Sequence, residues 1–208
     1  LRQIKGFMSR GPVSNDFYRS AARYAEFASW LHQDLGNISA ALPWINRAQK
    51  WAEITNDPLL ISYILVRKAS QVMEGGHSEL AVLLSARAGV GDLTFRARAL
   101  ATQQEAHAHA VLGDERSCLD RIESAKEFVS LSDRRNEEGP GRYCVPAYIE
   151  MQQATCWLRL DRPHLALQVF AGGLRDLPDV HHRDKGVYLA TYAQALIAAE
   201  KPDEAVDA

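Results

Sequence analysis

Residues Leu112 to Ala125 read LGDERSCLDRIESA, and the spacing of small and apolar residues in this stretch decides the fold. With Gly113 as a marker, steps of five, nine and twelve residues land on Cys118, Ile122 and Ala125. The same steps from Gly36 give Ala41, Ile45 and Ala48, and from Gly76 they give Ala81, Ser85 and Ala88. From Asp161, where the glycine is replaced, they give Ala166, Phe170 and Gly173; from Glu200 the first step gives Ala205. Seven residues before the five markers stand Ser29, Ala69, Ala106, Ala154 and Ala193, all small.

Small residues fixed on both sides of a turn are what two antiparallel helices need where their backbones cross closely. The markers lie 37 to 48 residues apart, the range of helix-turn-helix solenoid units rather than of one globular core. The pattern therefore predicts an all-α chain of stacked antiparallel helix pairs, about four and a half units in all.

Composition fits that reading. The 208 residues are 47% apolar and 24% charged, ordinary for a soluble protein. A formal charge of −2 gives no footprint for nucleic acid or anionic lipid, and Arg96/Arg98 and Arg134/Arg135 are pairs rather than patches. Cys118, Cys144 and Cys156 stand far apart with no Cys-x-x-Cys, which indicates neither a zinc site nor a disulfide framework. A reducing, cytoplasmic setting is the simplest reading. No apolar run is long enough to span a bilayer, and the N-terminus lacks a signal-peptide layout.

Taken in order, residues 1–13 read as a linker or the end of an upstream element, and 14–208 as the repeat domain. Ser14, Asn15 or Asp16 can cap a helix to about Leu35. Its partner runs from about Ser39 to Glu53, where Pro43 predicts a late start or a kink. Asp57-Pro58 restarts the chain as N-cap and first helical residue; Gly75-Gly76 ends that helix, and Ser78 caps the next, to about Ala88. Thr94 caps a helix over 95–112, and Asp114 or Glu115 opens its partner to about Leu131. The stretch 132–145 reads as an inserted polar loop. Helices over 147–160 and 163–175 follow, then one capped by Asp184, then one opened by Pro202. The units are thus about 14–56, 57–93, 94–131, 146–178 and 184–208, and the unfinished last pair suggests that the natural chain continues.

This pattern resembles the tetratricopeptide repeat, with its small eighth residue, turn glycine near the fifteenth, small twentieth, apolar twenty-fourth and small twenty-seventh. The resemblance implies a right-handed superhelical solenoid. The early tryptophan and leucine of that family are mostly missing, and the last two units lack the glycine. More narrowly, the segments EFASWLHQDLGNISAALPW, ARALATQQEAHAHAVLGD and LPDVHHRDKGVYLATYAQALIAAEKPDEA look like the C-terminal repeat region of actinobacterial regulators with an N-terminal helix-turn-helix of the XRE type. That resemblance implies a sensing and dimerising domain for a peptide, small-molecule or protein effector. It implies contact with DNA only through a helix-turn-helix that this sequence does not contain.

In a solenoid of this kind the second, fifth, ninth, twelfth and thirteenth positions of each first helix line a concave face. The register points to Arg23, Glu26, Trp30, Gln33 and Asp34 in unit one, and to Tyr63, Val66, Ser70, Met73 and Glu74 in unit two. Unit three offers Leu100, Gln103, His107, Ala110 and Val111; unit four offers Tyr148, Met151, Thr155, Leu158 and Arg159; unit five offers Val187, Ala190 and Gln194. From these the candidate ligand-binding set is Trp30, Gln33, Tyr63, Val66, Ser70, Met73, Gln103, His107, Tyr148, Met151, Thr155, Arg159 and Gln194. Aromatic and methionine side chains supply adaptable apolar area, and Gln103, Thr155 and Arg159 can bond a peptide backbone or carboxylate. The same residues could instead pack between units.

No catalytic, cofactor or metal site is predicted. His107 and His109 point to different faces. His181-His182 with Asp179 or Asp184 lacks ligand spacing and reads as solvated loop. Glu105 and His109, four apart, read as a surface hydrogen bond in the absence of a HExxH motif. Cys118 reads as a buried small residue, and Trp30, Trp44, Trp51 and Trp157 as core. GxSxG, GxxxxGK[ST] and GxGxxG are absent. A stand-alone adaptor would require a clamp of basic side chains, and Arg23 and Arg159 lie units apart. Loose end units predict self-association.

Overall fold

The computed structural model describes residues 14–132, 139, 141–176 and 182–206, and among these it contains helices and no strand. The helices form antiparallel pairs: α1 Asn15–Asp34 with α2 Ile38–Thr55, and α3 Pro58–Glu74 with α4 Ser78–Ala88. Then come α5 Phe95–Val111 with α6 Glu115–Leu131, α7 Pro146–Arg159 with α8 Pro163–Asp176, and α9 His182–Ala198 with α10 Pro202–Val206.

Helix starts follow from side-chain acceptors that satisfy orphan backbone N–H groups. Ser14 Oγ accepts from Phe17 N at 3.3 Å, Asp57 Oδ1 from Leu59 N at 3.1 Å and Asp114 Oδ1 from Ser117 N at 3.0 Å. Asn37 Oδ1 and Thr94 Oγ1 do the same for Ala40 N and Ala97 N.

The marker has one backbone conformation in all five units. Gly36, Gly76, Gly113, Asp161 and Glu200 have φ of 69°, 86°, 76°, 58° and 60°, the left-handed region that favours glycine. Each then closes the preceding helix with a paired backbone motif. In the first unit Gly36 N donates to Gln33 O at 2.8 Å and Asn37 N to His32 O at 2.9 Å. In the fourth, Asp161 N donates to Leu158 O at 3.2 Å and Arg162 N to Trp157 O at 2.9 Å. This is the Schellman closure, and it turns the chain back so that the second helix can lie against the first.

The small residues sit where the pairs cross. Ser29, Ala69, Ala106 and Ala154 before the turns, and Ala41, Ala81, Cys118 and Ala166 after them, are all 0% exposed. In unit one the contact is direct, since Ser29 Oγ donates to Ala41 O at 2.8 Å. Ala193 and Ala205, in the last unit, are only half-buried. Each first helix also packs on the next first helix, whereas the second helices stand farther apart, α2 and α4 meeting through the side chains of Glu53 and Arg87 at 3.2 Å. The array therefore curves with α1, α3, α5, α7 and α9 on its inner side.

Several expectations are corrected. Helix α2 does not start late: it begins at Ile38 with Pro43 inside it. Pro43 and Ser39, whose carbonyl loses its partner, are both exposed, so water can satisfy that group. Ser78 is the first residue of α4 and is buried, and the N-cap is His77, which makes no side-chain capping bond. Helix α9 begins at His182, so Asp184 lies in its first turn instead of capping it. The linker reading of 1–13 and the His181/Asp179 reading fall outside the described residues.

Candidate functional site

On the inner face, α1 and α3 share a polar network. The side-chain fork of Arg67 donates from Nε to Glu26 Oε1 at 2.9 Å and from Nη2 to Gln33 Oε1 at 3.0 Å. Gln33 Nε2 in turn donates to Ser70 Oγ at 3.2 Å and to Glu74 Oε1 at 2.5 Å. The Ser29 hydroxyl, whose single proton serves either Ala41 O or Gln71 Oε1, also lies 2.8 Å from Gln71 Oε1. The Arg67–Glu26 pair is largely buried, with side chains 18% and 13% exposed. Burial raises the Glu74 carboxyl above its ordinary range. Burial, with a smaller contribution from the Glu26 charge, pushes the Tyr63 phenol up to about 12, which leaves it a neutral hydrogen-bond donor.

Next to this network lies a groove of about 480 Å³, lined by Arg23, Glu26, Tyr63, Gly139, Gly141, Arg142 and Tyr143. Gly139, Gly141, Arg142 and Tyr143, from the stretch before α7, build one wall of it. Gly141, at φ 91°, sits close over α5, where an added Cβ would approach Leu100 Cδ2 at 3.5 Å and Ala97 Cα at 3.9 Å. Arg96 Nη1 donates to Arg142 O at 2.7 Å and holds the loop down. Tyr143 then packs edge-on against Tyr148, ring centres 5.3 Å apart, and Cys144 is fully buried. Arg23 and Arg142 form no salt bridge among the described residues, and both are exposed.

Farther along the face, Gln103 Nε2 donates to Gln152 Oε1 at 3.1 Å, and Gln152 Nε2 to the Tyr188 hydroxyl at 2.8 Å. The His107 ring is half-buried as a residue, but its Nε2 is sealed and makes no hydrogen bond among the described residues, as is also true of Gln104 Nε2. Burial, aided by the Arg159 charge, lowers His107 to about 4. It is a neutral imidazole at physiological pH.

The candidate positions divide by register. At the ninth, Trp30, Ser70, His107 and Thr155 are half-exposed and Gln194 is exposed; at the thirteenth, Asp34, Glu74, Val111 and Arg159 are exposed. Tyr63, Tyr148 and Gln33 are partly accessible. Val66, Met73, Gln103 and Met151 are buried between neighbouring helices. The structure thus brings Gln33, Tyr63 and Ser70 into one cluster and assigns four other candidates to packing.

Sequence reasoning missed Arg67, Gln71, Gln152, Arg142 and Tyr143. A signal existed for the first: Tyr63, Arg67, Ser70 and Glu74 are spaced four, three and four apart, one helical face. The loop residues carried no periodic signal. Of the chemical candidates, Cys118 is fully buried as expected. Glu105 Oε1 and His109 Nε2 are 3.9 Å apart, too far for a hydrogen bond, and both side chains are mostly buried. Trp44, Trp51 and Trp157 are half-buried and pack against the hydrophobic core, Trp30 is half-buried outside it, and Arg47 lies over Trp44 at 5.2 Å. Among the described residues no three His, Cys, Asp or Glu side chains gather as metal ligands, and no helix is long and apolar enough to cross a membrane.

This architecture is that of a helical-repeat protein with tetratricopeptide-like units. Two solved structures are similar to it, both of nearly identical TPR-like repeats assigned to a kinesin light chain of Podosopora anserina, one of them carrying a point substitution. Each is 14% identical and spans 91% of this chain and 92% of its own; the TM-scores are 0.56 for the substituted form and 0.55 for the other. The similarity shows the fold. No family model and no curated protein matches the sequence.

Proposed function

We propose that the chain is a non-catalytic interaction domain whose inner face binds an extended peptide or a segment of a partner protein. The observation that supports this most is the row at the ninth position of the five first helices, where Trp30 offers apolar area and Ser70, Thr155 and Gln194 offer polar groups, all at least partly exposed. An extended chain laid across such a row can exchange backbone hydrogen bonds while its side chains enter the spaces between helices. The test is selection of random peptides on the immobilised chain. Selected peptides are expected to lose binding to Thr155→Arg and Ser70→Arg, and to keep it with Glu79→Arg on the outer helix α4. Peptides indifferent to both inner-face variants would remove the reading.

The resemblance to actinobacterial regulators gives this domain a place, as the effector-sensing and dimerising part of a transcription factor. That assignment rests on the quoted sequence segments alone. Its test is the coding sequence upstream of Leu1, in which a helix-turn-helix is expected; an open reading frame without one leaves a stand-alone adaptor.

A further inference from the structure

We propose that Cys118 and Cys156 form a reversible oxidation site, at which a peroxide converts two buried thiols into a disulfide that ties α6 to α7 and so unit three to unit four. The oxidation does not depend on what the inner face binds.

The repeat itself brings the two residues together. Five residues after the first four markers stand Ala41, Ala81, Cys118 and Ala166, and five before the next marker in each case stand Gln71, Ala108, Cys156 and Ala195. These positions meet where one unit packs on the next. Ala81 and Ala108 share one buried cluster, Ala166 and Ala195 share another, and Ser29 Oγ lies 2.8 Å from both Ala41 O and Gln71 Oε1. At the junction of units three and four both residues are cysteine, and they are 0% and 2% exposed in one cluster with Ala106, Ala110 and Ile122. Alanine fills the corresponding places at other junctions, so packing alone does not call for sulfur. Cys144 belongs to a different cluster.

The two thiols share a hydrogen bond, which makes them unequal. That bond holds the Cys118 thiol below its ordinary range, against the opposing effect of burial, whereas the same bond and burial hold Cys156 well above. Since the thiolate is the nucleophile, Cys118 is the attacking sulfur and Cys156 the resolving one. The Cys118 thiolate attacks one oxygen of hydrogen peroxide and breaks the O–O bond. Hydroxide leaves, takes up the proton that Cys118 had released, and departs as water, with Cys118 now a sulfenic acid. Cys156 sulfur then attacks Cys118 sulfur, and the hydroxyl leaves with the Cys156 proton as a second water. The thiols lose two electrons and two protons in all, and the peroxide is reduced to two waters. A disulfide needs Cα atoms within about 7 Å, and helices that meet through alanine-sized side chains approach closely. The same junction carries an ion pair from Arg162 to Glu115 at 3.1 Å with both side chains exposed. Such pairs hold weakly, so local opening there can admit a small oxidant.

The experiment takes the full chain, reduced and freed of reductant, through hydrogen peroxide, N-ethylmaleimide and trypsin without reduction. Mass spectrometry should find peptide 117–121 joined to peptide 143–159, with fragmentation placing the link at Cys156, and dithiothreitol should undo it. Oxidation should raise Tm by at least about 5 °C. Cys144→Ala should keep the link and the rise. Cys118→Ala and Cys156→Ala should lose both, with circular dichroism confirming that each folds. Dimedone should trap a sulfenic acid on Cys118 in Cys156→Ala, and label Cys156 at least about fivefold less in Cys118→Ala. Equal labelling would remove Cys118 as the attacking sulfur. A link through Cys144 or between two chains, thiols that stay reduced under peroxide or pass straight to sulfinic acid, or a full Tm rise in Cys118→Ala overturns the proposal.

Discussion

Replacing Gly113 by alanine should destabilise the protein, and replacing Asp161 by glycine should stabilise it, for one reason. Both residues occupy the marker position, with φ of 76° and 58°. A Cβ built on Gly113 meets nothing within 4 Å, so steric crowding contributes nothing and the effect is conformational. Holding an L-residue in the left-handed region costs roughly 1–2 kcal/mol. Alanine recovers about 0.4–1 kcal/mol by restricting the unfolded chain, which leaves a net loss of about 1 kcal/mol. Asp161 already bears that strain, moderated because aspartate tolerates this region, and glycine's extra freedom in the unfolded chain offsets part of the relief, so Asp161→Gly should gain about 0.5 kcal/mol. For a chain of this length each kcal/mol moves Tm by about 2–4 °C. Thermal and urea melts followed by far-ultraviolet circular dichroism would measure both variants, with Gly113→Asn expected between wild type and alanine. A Gly113→Ala protein as stable as wild type, or an Asp161→Gly protein that is weaker, would refute the claim that the left-handed turn sets the repeat.

Three further outcomes are expected. Gly172→Ala, where α8 has open space, should stabilise by about 0.5–1 kcal/mol, but at Gly173 a Cβ would overlap the Met151 methyl; Gly173→Ala should be about 1 kcal/mol or more less stable than Gly172→Ala, and equal melting of the two would contradict the packing. Arg67→Ala should cost about 3 kcal/mol by stranding a buried carboxylate, with much of that recovered in Arg67→Met/Glu26→Gln; a double variant weaker than the sum of the singles in chemical denaturation would oppose this. His107 has a folded pKa of about 4, below the ordinary 6.5, so the unfolded chain takes up its proton first as pH falls. Stability present above pH 6.5 is then lost down to about pH 4, by up to about 3 kcal/mol. Urea melts of His107→Gln across that window should show a shallower decline than wild type; parallel curves would show that His107 does not titrate differently on folding.

The fold was legible because its determinants are local and repeat. A left-handed turn residue, a small residue before it and another after it are each single-residue requirements, and five copies separate them from chance. Asp161 and Glu200 show the limit of reading by residue type: neither is glycine, yet both adopt the marker conformation, and only the phase of the surrounding small residues revealed them. Pro43 misled for a related reason. Its cost depends on whether the freed Ser39 carbonyl reaches water, which is a property of the packed array and not of the local sequence.

The site was legible in phase but not in depth. The register identified which side chains sit on the inner half of each first helix, and it could not say which of those the next helix covers. Where the neighbour is in contact, the fifth position is closed: Val66, Gln103 and Met151 are buried there. Glu26 holds the same position in the first unit and keeps a path to the groove, because its polar head is met by Arg67 instead of by an apolar surface. The ninth position keeps part of each residue accessible, although in unit three the His107 Nε2 is sealed. What no periodicity could supply is Arg142, whose place depends on Gly141 approaching α5 and on the bond from Arg96. A solenoid of helices gives a surface with repeating chemistry; a loop folded back onto it makes one end of that surface different from the other, and recognition of a particular ligand requires that difference.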